Sequence, residues 1–132
     1  MKLNILFAML VLSTGLSGVA QDSEHSSNIC STKNAKICGH IGHMSGVTPN
    51  KESSFVAHLF VPKGIKVSDF KLSLWMPDMN HGSSDVEISQ MGANKYKVTK
   101  AVFTMAGSWE VQMKFKVGTE EHQLYIPLKI AP

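Results

Sequence analysis

The sequence predicts an all-β fold, an antiparallel β-sandwich of six or seven strands, on three observations. From Ser53 onward, apolar residues recur with a period of two in runs short enough to be strands. Turn signals rich in Gly, Asn and Pro separate those runs. No stretch carries the 3.6-residue period of an amphipathic helix. Strands that are apolar on one face and polar on the other pair most simply as two packed antiparallel sheets.

The chain opens with Met1-Lys2, an apolar run from Leu3 to Leu12, and a small-residue ending at Gly18-Val19-Ala20. One positive charge, a short apolar core and a small-x-small ending are the marks of a secretory signal peptide. Residues 1–20 are therefore expected to be removed, which leaves about 112 residues, one domain's worth. The apolar run is too short for a stable membrane span. The expected location is periplasmic or secreted.

Residues 21–52 are polar, rich in Ser and Asn, and free of periodicity. They are expected to form a flexible arm bearing both cysteines. Residues 53–132 hold the sandwich. Phe55, Ala57, Leu59 and Val61 face one way against Val56, His58 and Phe60, until Pro62-Lys63-Gly64 turns the chain. Leu72, Leu74 and Met76 share the next inward face, against Lys71, Ser73 and Trp75. Val86-Glu87-Ile88 is a short strand and Met91-Gly92-Ala93-Asn94 a turn. Tyr96, Val98 and Val102 continue the apolar face against Lys95, Lys97 and Lys100.

The clearest strand runs from Trp109 to Val117, with Trp109, Val111, Met113, Phe115 and Val117 inward. Gly118-Thr119-Glu120 is a hairpin turn. The chain returns through His122, Leu124, Ile126, Leu128 and Ile130, and Pro127 places that strand at an edge or bulge. His122 itself, so close to the turn, is expected to be solvated. His58 is expected to be a packed or surface residue.

Without Lys2, the chain carries twelve Lys, ten acidic residues and no Arg. Bidentate phosphate and base recognition leans on Arg, so a nucleic-acid partner is disfavoured. No Gly-x-Ser-x-Gly elbow, His-Glu-x-x-His helix or phosphate loop is present, and an enzyme is not expected. A blue-copper site needs a Cys among its sheet-borne ligands, and no Cys follows position 38.

Two clusters carry chemistry. Trp75-Met76-Pro77-Asp78-Met79-Asn80-His81-Gly82 places two thioethers and an imidazole in one turn. Thioether sulfur suits Cu(I), and imidazole serves Cu(I), Cu(II) and Zn(II). The alternative is that Met76 and Met79 fill gaps in the core and His81 is an ordinary turn residue. Cys38-Gly39-His40-Ile41-Gly42-His43-Met44 is the second, weaker cluster, with Cys38, His40, His43 and Met44 as potential ligands. In an exported protein Cys30 and Cys38 most simply form a disulfide, and thiolate metal binding is the competing reading.

The succession of the turn, Gly92-Ala93-Asn94-Lys95-Tyr96, and Phe103-Thr104-Met105-Ala106-Gly107-Ser108-Trp109 resembles the YtkA-like domain and the related FixH-like domain of exported bacterial proteins. The resemblance covers residues 53–132. It implies an immunoglobulin-like sandwich linked to copper handling or to copper supply for respiratory oxidases. By that resemblance Met76, Met79, His81 and Met105 are the family-matching positions; ligand softness makes a joint Met-rich Cu(I) site the expectation, against Met105 packed in the core beside Trp109. The chain departs from FixH-like proteins in lacking a convincing membrane anchor. The expected function is an exported copper-binding carrier, buffer or delivery factor, with copper, as Cu(I), its ligand and a copper-receiving envelope protein its partner. The alternative is a metal-free interaction module or accessory subunit of an envelope complex.

Overall fold

Strands β1 (Ile29–Cys30), β2 (Cys38–Gly42), β3 (Glu52–Phe60), β4 (Val67–Met76), β5 (His81–Gly82), β6 (Glu87–Gly92), β7 (Lys95–Val102), β8 (Gly107–Val117) and β9 (Glu120–Ile130) carry almost all the regular structure in a computed structural model of the chain. The structure describes residues 28–44 and 47–132, so the expected signal peptide and the first part of the arm lie outside the described residues. One sheet has the order β1-β2-β3-β7-β6 and the other β5-β4-β8-β9, and every pairing is antiparallel. The two-sheet sandwich predicted from the alternation is the fold observed. No helix among the described residues is long and apolar enough to cross a membrane.

The period-two faces meet between the sheets. Phe55, Ala57 and Leu59 from β3, Leu72, Leu74 and Met76 from β4, and Trp109, Val111, Met113 and Phe115 from β8 are all buried. Trp109 is the largest fully buried side chain. The hairpin between β8 and β9 has Gly118-Thr119 as its two-residue loop, with Gly118 at φ 62°, which fits a type II′ turn. β9 lies at a sheet edge, where Pro127 leaves no interior ladder bond unmade.

Among the described residues the strand count rises to nine because three short elements were not foreseen, and two of them correct the expected arm. Residues 28–44 are not an appendage. β2 pairs with β3 from Cys38↔Phe60 to Gly42↔Val56, and Ile37 and Ile41 are buried in the common core. Two buried isoleucines contribute about 1.5–3 kcal/mol each, enough to hold the segment against its ordering entropy. Gly39 faces inward because a Cβ there would stand 2.9 Å from Leu124 Cδ1 and 3.1 Å from Met113 Cε. Cys30 and Cys38 are directly opposed on β1 and β2 and form a disulfide. Closing so small a loop stabilises the fold by about 2–3 kcal/mol in the chain-entropy model.

Two further expectations are corrected. Lys100 adopts φ 56°, and the register between β3 and β7 shifts there, so Ala101 and Phe103 are buried and Val102 is only half-buried. An extra residue on one strand reverses the alternation beyond it. His122 is not solvated but 1% exposed, with its ring stacked on Phe115 at 5.8 Å.

Candidate functional site

The end of β4 is built as a tight reversal. Pro77 opens a 3-10 turn over Pro77–Met79, and Asn80 takes the left-handed conformation at φ 49° with its N–H on Pro77 O at 3.3 Å. Asn tolerates that region better than most residues. The chain thereby folds back so that His81 pairs with Met76 and Gly82 with Trp75. Gly82 is needed because a Cβ would stand 3.0 Å from the Leu74 carbonyl oxygen.

The four residues the sequence singled out divide by exposure. Met76 is 3% exposed and belongs to the core, as its place after Leu72 and Leu74 dictates. Its Cε fills the space over Gly107, 2.8 Å from where a Cβ would be. Met76 therefore serves core packing and is less accessible to an ion than the other three. Met79, in contrast, is 54% exposed and Met105 40%. His81 is half-buried, with Nδ1–H directed at the Gly82 carbonyl oxygen at 3.3 Å.

One side chain relates the two loops. The Trp109 indole meets the His81 ring edge-on, with centroids 6.0 Å apart. Its Nε1–H donates to the Met105 carbonyl oxygen at 2.9 Å. Phe103 packs edge-on against the same indole at 5.4 Å. The His81 turn and the Met105 loop are thus held at one end of the sandwich by a buried, hydrogen-bonded Trp, which cannot swing freely. Among the described residues no three His, Cys, Asp or Glu side chains converge to hold a metal ion. The donors that the sequence offered at this end and the structure leaves accessible are the Met79 and Met105 thioethers and the His81 imidazole, groups of a softness that suits Cu(I).

The second predicted cluster does not come together. Cys38 is bound to Cys30 and offers no thiolate. Met44 packs partly against the core. His40 and His43 instead border a groove of about 260 Å³ on the outer face of the five-stranded sheet, together with His58 and Met91. His58 is held below the ordinary imidazole range by desolvation, then by the charges of His40 and Lys95. The pairing of His40 with His58 was not foreseen, because cross-strand register is not visible in either strand alone. Nor was the burial of His122, although its inward position in the alternation with Leu124 and Ile126 signalled it.

A family model described as YtkA-like matches residues 45–114. The matched segment holds Met76, Met79, His81, Met105 and Trp109 and stops within β8. No curated protein and no solved structure matches the chain.

Proposed function

The chain belongs to the YtkA-like family, and from that premise we propose that it is an exported copper-binding protein, acting as carrier, buffer or delivery factor. Copper is its cargo, taken as Cu(I) at the end of the sandwich where the β4–β5 turn and the loop before β8 meet. The observation that carries this reading is the shared anchor. Two exposed thioethers, Met79 and Met105, lie on separate loops, and the His81 ring and the Met105 backbone both rest on the Trp109 indole.

Met79 and Met105 supply soft sulfur, and His81 supplies a nitrogen whose tautomer is set by the Nδ1–H contact to Gly82. Thioethers carry no charge and need not lose a proton, so capture and release proceed by ligand exchange at neutral pH. A location at the rim, exposed to a partner, suits transfer better than storage in a closed core. Export follows from the leader-like first twenty residues.

The test is Cu(I) affinity, measured by competition with a chromogenic chelator under reducing conditions. Met79→Ala with His81→Ala is expected to weaken binding by at least about tenfold, with little change in stability. Wild-type affinity in that double variant would leave the alternative, a metal-free interaction module, as the better reading.

A further inference from the structure

We propose that His40 and His58 form a second metal site, on the outer face of the five-stranded sheet, that takes one Cu(II) ion through two imidazole nitrogens. It is separate from the Met79–His81–Met105 end and does not depend on it.

The two residues are directly opposed on β2 and β3, so their side chains leave the sheet side by side. Their ring centroids are 5.3 Å apart, with the planes at 75°. Two imidazoles sharing a cation at metal–nitrogen distances of about 2.0 Å hold their ring centres roughly 4.5–5 Å apart. The observed separation of the rings is thus close to that of a bidentate pair. Phe60 packs on both rings, at 4.2 Å from His58 and 5.0 Å from His40, and limits their rotation. His40 Nδ1 lies 3.2 Å from Asn28 Oδ1. An amide oxygen on one ring nitrogen is the outer contact that orients a ligating histidine and directs its other nitrogen to a metal.

The surroundings suit a cation that favours neutral imidazole. The groove beside the pair admits solvent ligands, and Met91 stands at its border, 59% exposed. With two imidazole nitrogens as its protein donors, such a site favours Cu(II) over Zn(II) by the Irving–Williams order. Lys95, paired with His58 on β7, opposes a cation, but its ammonium sits on a flexible stem that can turn into water.

The full chain, oxidised and disulfide-bonded, is titrated with Cu(II) and followed by electron paramagnetic resonance and by competition with a chelator. One equivalent with nitrogen hyperfine coupling is expected. His40→Ala and His58→Ala should each weaken that equivalent by at least about tenfold, and Lys95→Met should tighten it. Met79→Ala with His81→Ala should leave it unchanged, so failure of the Cu(I) reading and failure of this one are distinguishable. On the wild-type protein, which removes any question of misfolded variants, the ring protons of His40 and His58 should broaden first as paramagnetic Cu(II) is added. Broadening centred on other histidines, or equal Cu(II) affinity in His40→Ala/His58→Ala, would overturn the proposal and leave the cluster as ring packing with Phe60.

Discussion

The hydroxyl of Ser31 lies 2.6 Å from Nδ1 of His122, 91 positions along the chain. Both residues are buried, and the contact joins the segment just after β1 to the start of β9. Ser31 Oγ also accepts the Lys33 backbone N–H at 3.2 Å, which holds the hydroxyl in place beside the imidazole. His122 Nε2 then faces the Glu120 carboxylate at 2.8 Å, close but outside the alignment of a good hydrogen bond. With the disulfide one residue away, the contact fastens the amino-terminal strands to the sandwich.

Ser31→Ala is therefore expected to destabilise the domain by about 1–3 kcal/mol, the cost of leaving a buried ring nitrogen unsatisfied. Urea unfolding of the oxidised protein measures it. A loss under roughly 0.5 kcal/mol, the size of an ordinary surface change, would mean that water replaces the hydroxyl.

Trp109→Ala should be far more damaging, by about 3–5 kcal/mol, because it empties the largest buried volume between the sheets. Trp109→Phe separates two roles. It keeps most of the packing but removes the N–H donated to Met105, so it should cost less stability while loosening the Met105 loop. Equilibrium denaturation gives the first quantity, and hydrogen exchange across residues 103–108 the second.

The core faces of β3, β4, β8 and β9 were readable because each buries one side and wets the other, which imposes a period of two on the side chains. β2 escaped for a physical reason. Its inward positions are Gly39 and Ile41, and Gly39 is there to admit Leu124, Leu59 and Met113, a close approach that no hydrophobic count registers. The Met79–His81 turn was legible from Pro77 and Gly82, but its dependence on Trp109 was not, since that contact joins residues far apart in sequence. The His40–His58 pair was hidden in the same way. His122 shows the opposite error, where nearness to a turn was weighed above an inward place in the alternation.

Acid should weaken the fold partly through His58. Its folded value lies below the ordinary imidazole value of 6.5, through desolvation first and then the charges of His40 on β2 and Lys95 on β7. His43 borders the same groove. The unfolded chain therefore takes up this proton first as pH falls. The contribution of His58 is fully present above about 6.5 and declines as pH drops through 6.5 toward the folded value. Thermal midpoints of wild type and His58→Gln, compared stepwise from about pH 7.5 to 5, should show the shallower slope in the variant. Equal slopes would assign the acid limb to other groups.

The last prediction separates the methionines. Met76 and Met105 belong to one family-like pattern, yet they meet different environments, one buried over Gly107 and the other 40% exposed beside the Trp109 indole. Met76→Leu nearly conserves volume but not shape, so it should cost under about 1.5 kcal/mol of stability and leave Cu(I) affinity unchanged. Met105→Ala removes an exposed thioether, so it should leave stability within about 0.5 kcal/mol. It should nevertheless lower Cu(I) affinity by at least about tenfold, or 1.4 kcal/mol. Both variants are measured by chelator competition and by thermal unfolding of the metal-free protein. If Met76→Leu were the one to lose copper, the ion would have to enter between the sheets beside Gly107, and the rim would be no more than its door. If only Met105→Ala loses it, the metal is held where the two loops meet.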